Sequence, residues 1–190
     1  MIRQAVILCG GPGTRLNDKV RFQPTIETPK PLMEVGGKPF ITYAINMLKG
    51  IGVTDIILLV GYMKESYEFL GEGVVRLVET QEDVNKAVLA IPDLDDTFLL
   101  LNGDCFPIMD WRAFCDTNTS RIAIKIIDRD AGIAVVEKMF VTQGIVDCSR
   151  IGEEMRRIFP HYTILGGLHI GTYQGLARAR LFMDIVVFGQ

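Results

Sequence analysis

The chain has 190 residues, 48% of them hydrophobic and 23% charged, with a formal net charge of −3. That is long enough to bury a core without disulfide or metal staples, so residues 1–190 are read as one domain, and the slight acidity argues against nucleic acid as a partner. No run of about eighteen apolar residues could span a bilayer, and Met1-Ile2-Arg3-Gln4 lacks the pattern of a signal peptide, so a cytoplasmic protein without a membrane partner is expected.

Ala5-Val6-Ile7-Leu8 reads as a first buried strand, and it runs directly into Cys9-Gly10-Gly11-Pro12-Gly13-Thr14-Arg15. Glycines at the carboxyl end of a strand stand where open α/β sheets bind ligands. Without Cβ atoms, Gly10, Gly11 and Gly13 let several N–H groups converge on one anion, and Arg15 adds a forked cation. Lys30 follows between Pro29 and Pro31, whose fixed φ angles stiffen the segment that carries its ammonium. An amide nest and two cations outline a site for a polyphosphate. Neither common nucleotide fingerprint is present: there is no Gly-x-x-x-x-Gly-Lys-Ser/Thr, and Leu16 stands where a dinucleotide loop needs its third glycine. A P-loop ATPase and a nicotinamide dehydrogenase are both disfavoured.

Ile41, Ala44, Ile45 and Leu48 repeat at helical spacing, closed by Gly50 and Gly52, and Asp55 to Val60 is a second apolar strand. An amphipathic segment from Met63 to Leu70, a strand from Val74 to Glu79, a helix from about Glu82 to Ile91 and a strand from Thr97 to Leu101 continue the alternation. Strands at Arg121 to Ile127, Gly132 to Glu137, Phe140 to Asp147 and Leu165 to Ile170, with a helix from Ile151 to Phe159, complete the reading. The alternation implies an α/β fold, Rossmann-like, with a mostly parallel central sheet and helices on both faces. Asp104 follows the strand Phe98-Leu99-Leu100-Leu101, and Asn102 and Gly103 read as a loose strand end that projects its carboxylate. Cys9, Cys105, Cys115 and Cys148 lack Cys-x-x-Cys spacing, and His161 and His169 are the only histidines. Buried free thiols are therefore expected, with neither a zinc site nor a Cys/His catalytic arrangement.

Gly11 to Arg15 together with Pro29 to Leu32 resembles the paired signature of the sugar-1-phosphate nucleotidyltransferases, Gly-x-Gly-Thr-Arg followed by Pro-Lys-Pro-Leu. The resemblance continues through Val35-Gly36-Gly37-Lys38-Pro39-Phe40, the segment Gly52 to Tyr62, and Leu101-Asn102-Gly103-Asp104, over about the first two thirds of the chain. In wording it is similar above all to the small heptose- and hexose-1-phosphate guanylyltransferases. It implies transfer of a nucleotidyl group from a nucleoside triphosphate to a sugar 1-phosphate, with Mg²⁺ as cofactor and a homo-oligomer left open.

On that resemblance Arg15, Lys30 and Asp104 are the catalytic residues. Leu8, Gly10, Gly11, Gly13, Thr14, Arg15, Gln81 and Asn102 bind the nucleotide, Gly166 and Gly167 the acceptor, and Asp104 with Asp184 the metal. Two segments depart from the family pattern. Thr80-Gln81-Glu82-Asp83 replaces a Leu-Gly-Thr-x-x-Ala base loop, and Leu165 stands where relatives carry an asparagine before the sugar glycines. Base and acceptor therefore stay open. Cytidylyl transfer to a sugar phosphate or another phosphorylated acceptor is one alternative, and a nucleotide-binding regulatory paralogue with weak or no transfer is another.

Overall fold

A computed structural model describes residues 2–11, 28–79, 83–116, 121–125, 129–151, 155–164, 166–170 and 172–188. Its centre is a seven-stranded sheet built from β1 (Gln4–Leu8), β4 (Asp55–Val60), β5 (Val75–Glu79), β6 (Thr97–Asn102), β8 (Arg121–Lys125), β9 (Arg129–Glu137) and β10 (His161–Ile164). The spatial order is β10-β8-β9-β6-β1-β4-β5. β1 pairs in parallel with both β4 and β6, β4 with β5 and β10 with β8, while β9 alone among these runs antiparallel to its neighbours. The sheet is mostly parallel, as the alternating pattern implied.

The strands nearest the middle read as continuous apolar runs because both of their faces are covered. Ala5 and Ile7 of β1, with Ile56 and Leu58 of β4, meet Ile41, Ile45 and Leu48 of α1 (Ile41–Ile51) and Trp111 and Phe114 of α3 (Trp111–Cys115). Val6, Ile57, Leu59 and Leu100 point the other way, onto Ala87 and Val88 of α2 (Val84–Leu89), Val141 of α4 (Lys138–Thr142) and Met155 of α5 (Met155–Ile158). A third apolar group joins Met33, Val35 and Phe40, around the small hairpin of β2 (Glu34–Val35) and β3 (Lys38–Pro39), to Leu176 and Ala179 of α6 (Tyr173–Phe188). That packing ties the carboxyl-terminal helix to the segment just after Lys30. Among the described residues no helix is long and apolar enough to cross a membrane.

Several sequence expectations are corrected. Gly50 lies inside α1 and only Gly52 ends it, at φ +93° with its N–H on the Leu48 and Lys49 carbonyls. The region Phe140 to Asp147, expected as a strand, begins instead with the end of α4. Ile145 N–H closes that helix on the Phe140 carbonyl at 2.9 Å, and the Phe140 ring packs edge-on to Phe159 at 5.3 Å. Buried Val141 and Val146 thus cap one face of the sheet as a helix and turn do, rather than pairing at its edge. β7 (Cys105–Ile108), α3 and α6 were not anticipated. β7 pairs antiparallel with β11 (Gly166–His169), in register His169 with Cys105 and Gly166 with Ile108.

Candidate active site at the carboxyl ends of β1 and β6

β1 lies between β4, which follows it in the chain, and β6, which returns to its other side. The crevice outside the carboxyl ends of strands at such a reversal is the usual ligand position in an open α/β sheet. Leu8 and Asn102 pair across this boundary, and Gly103 N–H donates to the Leu8 carbonyl at 3.0 Å. The glycine segment continues from there: Cys9 N–H reaches the Leu59 carbonyl at 2.9 Å, and the Gly10 carbonyl accepts from Tyr62 N–H at 3.2 Å. Beneath it the fully buried Tyr67 hydroxyl donates to the Cys9 carbonyl at 3.2 Å. Gly11 is exposed beyond these anchors.

Gly103 is not the loose residue that its sequence context suggests. A Cβ there would come within 2.9 Å of the Leu8 carbonyl oxygen, 3.0 Å of Pro31 Cγ and 3.1 Å of Cys9 Sγ. The ends of β1 and β6 and the Pro-Lys-Pro turn therefore meet at this one glycine, and contacts that close leave no room for a side chain. Pro29 sits at φ −54° and ψ 142° and leads into a short 3₁₀ turn, Lys30–Leu32, with Pro31 and Leu32 buried and Lys30 half-buried. Lys30 and Asp104 face the same crevice closely enough for the ammonium to act on the carboxylate.

Asp104 is the best-defined group in the crevice. Its carboxylate receives the Cys105 thiol at 3.4 Å and lies 3.4 Å from His169 Nε2, while its carbonyl accepts from Ile170 N–H at 2.9 Å. Burial alone would raise the carboxyl pKa. The hydrogen bond and charge of His169, the Lys30 ammonium and the Cys105 thiol outweigh that and hold it below the ordinary carboxylate value. Asp104 is therefore ionised at neutral pH and still partly open, with 19% of its side chain accessible.

The structure brings together Leu8, Gly10, Gly11, Lys30, Asn102 and Asp104. Gly166 and Gly167 pair with Ile108 and Pro107, and the same strand delivers His169 to the site. Gly13, Thr14, Arg15 and Gln81, and Leu165, lie outside the described residues, as does the side chain of Asp184 within α6. The expectation of no Cys/His arrangement is corrected: Asp104, Cys105 and His169 offer ligand atoms that all lie within 4.8 Å of one another. The strand pairing that creates this group has no local sequence signature, although an Asp-Cys step after a strand and a histidine after two glycines were both visible.

Magnesium demands oxygen donors in an octahedron at about 2.0–2.1 Å and is usually met by one or two carboxylates plus substrate phosphates. Here a single described carboxylate is flanked by an imidazole and a thiol. One carboxylate with substrate phosphates is within what magnesium accepts, and the second expected ligand, Asp184, has its side chain outside the described residues.

Residues 5–107, the stretch from β1 into β7, match the family described as the MobA-like NTP transferase domain. The chain belongs to that family. Its catalogued relatives within this nucleotidyltransferase family include a D-glycero-alpha-D-manno-heptose 1-phosphate guanylyltransferase of Campylobacter jejuni, 28% identical over 166 residues that cover 76% of this chain and 72% of that protein. A choline-phosphate cytidylyltransferase of Streptococcus pneumoniae is 47% identical over 76 residues, covering 40% of this chain and 31% of its own length. In fold, the chain is similar to the solved CTP:phosphocholine cytidylyltransferase from Streptococcus pneumoniae, with a TM-score of 0.71 at 21% identity over 96% of this chain and all of that one, at 100%. The Rossmann-like nucleotidyltransferase architecture expected from the sequence is therefore the observed one.

Proposed function

We propose that the chain transfers a nucleotidyl group from a nucleoside triphosphate, GTP foremost, to a heptose- or mannose-like sugar 1-phosphate, releasing pyrophosphate. The observation that carries this reading is the convergence of the glycine strand end, Lys30 and Asp104 at the reversal between β1 and β6. The likeness to the Campylobacter guanylyltransferase, over most of both chains, supports the choice of base and acceptor.

The chemistry asks little proton transfer of the protein. The attacking group is a phosphate monoester whose second pKa is about 6, so at neutral pH it is already largely ionised and needs no general base. Its oxygen attacks the α-phosphorus, the bond to the bridging oxygen breaks, and pyrophosphate leaves with the electron pair. The barrier is lowered by alignment, for which effective molarity can contribute roughly 7–11 kcal/mol, and by charge neutralisation. Backbone N–H groups of the Gly10-Gly11 segment would hold the β- and γ-phosphates, and Arg15 would stay with the departing pyrophosphate. Lys30, restrained between two prolines, would neutralise charge at the α-phosphate. A divalent cation at Asp104 would supply further neutralisation between the two reactants.

Four nucleoside triphosphates tested against a panel of sugar 1-phosphates and phosphocholine, with pyrophosphate as the readout, decide the assignment. GTP with a heptose or mannose 1-phosphate is expected to give the fastest release. The streptococcal match, higher in identity but confined to 76 residues, favours a second reading in which CTP and a different phosphorylated acceptor are used. Nucleotide binding without pyrophosphate from any pair would leave only the regulatory paralogue.

A further inference from the structure

A nucleotide whose phosphates rest on the Gly10-Gly11 segment has two directions in which to lay its nucleoside along the sheet edge. Toward β6 stand Lys30 and Asp104, and beyond them the β7–β11 pair that carries Gly166 and Gly167. With transfer placed there, that side belongs to the α-phosphate and the acceptor. The nucleoside is left the other side, over the carboxyl ends of β4 and β5, which follow β1 in the sheet order at roughly 5 Å per strand.

Tyr62 stands at that end of β4, two residues beyond Val60. It is 42% exposed, and neither its ring nor its hydroxyl has a partner among the described residues. Tyr67, close by in the chain, is fully buried and spends its hydroxyl on the Cys9 carbonyl. The backbone under Tyr62 is firmly held. Its N–H donates to the Gly10 carbonyl at 3.2 Å, which ties the residue directly to the phosphate segment. Lys64 N–H closes the turn on the Gly61 carbonyl at 3.2 Å, and Lys64 Nζ reaches Glu79 at the end of β5 at 2.7 Å. Between them Met63 takes φ +53° and ψ +43°, the left-handed region that residues with a Cβ seldom adopt. Such strain persists only where the surrounding structure imposes it, and it clusters at ligand sites. An aromatic ring on a turn already ordered before binding can take a base with little further loss of freedom.

We propose that Tyr62 is the platform on which the nucleobase stacks, and that it weights the site toward a purine. Stacking needs only a π-face and grows with the area covered, so the two-ring base of GTP gains more than the one-ring base of CTP. The proposal rests on reading the β1/β6 crevice as a nucleoside triphosphate site, but it is measured by binding, without any turnover.

The test titrates the full chain with GTP, CTP and inorganic tripolyphosphate, each with Mg²⁺, by calorimetry, comparing the unaltered protein with Tyr62→Ala and Tyr62→Phe. Alanine keeps the backbone N–H that holds Gly10, so tripolyphosphate is expected to bind within about twofold of its affinity for the unaltered protein. GTP is expected to weaken about tenfold or more in Tyr62→Ala, in the range that base–aromatic stacking contributes. CTP is expected to weaken less, so the preference for GTP shrinks. Tyr62→Phe keeps the ring and is expected to match the unaltered protein within about twofold. GTP affinity unmoved in Tyr62→Ala, an equal loss for tripolyphosphate, or a loss in Tyr62→Phe as large as in Tyr62→Ala would each overturn the platform. Equal losses for GTP and CTP would overturn its weighting toward a purine. A protein whose GTP affinity depends on the Tyr62 ring but which releases no pyrophosphate contradicts the transfer reading alone. One that releases pyrophosphate and binds GTP equally well as Tyr62→Ala contradicts the platform alone.

Discussion

At the amino ends of β1, β4 and β5 the charged and polar groups satisfy one another, whereas at the carboxyl ends of β1 and β6 the chain exposes donors and charges toward a crevice. At the amino end, buried Gln4 donates to Asp55 at 2.6 Å and to the Asp93 carbonyl at 3.1 Å, and accepts from Asp95 N–H at 2.7 Å. Arg76 grips both Asp55 oxygens at 2.9 Å, and Arg3 pairs with Asp95. At the other end stand Gly10, Gly11, Lys30 and Asp104, with Asp104 held ionised and partly open. One end of the sheet spends its polar residues on closing the fold. The other keeps its charge at the surface of a cleft, where only a ligand of opposite pattern completes it.

Substitutions at the two ends should therefore separate activity from stability. The largest effect is expected for Asp104→Asn and Arg15→Ala, each of which should lower turnover about a hundredfold or more, the usual cost of one electrostatic catalytic group. Because Asp104 is itself held below its ordinary pKa by its neighbours, Asp104→Asn should also cost some stability, and its turnover is compared per folded molecule. Near-normal turnover in either variant would remove its assigned role. Asp55→Ala should act in the opposite sense. It removes the carboxylate acceptor of Arg76 and Gln4, which keep the Pro92 and Asp93 carbonyls, so a loss of about 1–3 kcal/mol in unfolding free energy is expected, with turnover per folded molecule preserved.

Tyr67→Phe takes a buried donor from the Cys9 carbonyl, and a stability loss of about 1 kcal/mol is expected from denaturant unfolding, with poorer nucleotide affinity because the glycine segment loses its anchor. The smallest effect concerns pH. Burial alone would raise the Asp55 carboxyl, but hydrogen bonds from Arg76 and Gln4 and the charges of Arg76 and Arg3 bring it below its ordinary value. A carboxyl whose pKa is depressed by folding contributes stability above its unfolded value, about 3.9, and loses it as pH falls through the folded value. The unaltered protein should therefore lose stability below about pH 4 more steeply than Asp55→Ala, which lacks this contribution. Parallel acid limbs for the two proteins would show that the amino-end network contributes nothing to the linkage.

The central strands were legible because burial on both faces forces uninterrupted apolar runs, as in Ile56 to Val60 and Phe98 to Leu101. The glycine strand end and Asp104 were legible for a related reason, since glycine and charge placed immediately after such runs mark a strand end, and Lys30 was legible from the prolines that flank it. Shorter elements escaped. β7 carries Pro107, and among the described side chains of α6 Leu176 and Ala179 are buried beside exposed Arg178 and Arg180, so neither shows a clear period. Gly103 was misjudged because a close approach from three directions is a property of the fold, not of the Asn-Gly-Asp wording. His169 escaped for the same reason: its contact with Asp104 is made by the register of β7 against β11, and nothing in its neighbours announces that pairing.

The central claim is that a nucleoside triphosphate binds at the carboxyl ends of β1 and β6. Backbone amide spectra of the labelled protein titrated with GTP, and with CTP in parallel, test it directly. Shifts should concentrate at Gly10, Gly11, Lys30, Asn102 and Gly103 and leave Gln4, Asp55 and Arg76 unmoved. Saturable shifts at the amino-end residues with none at the glycine strand end would contradict it.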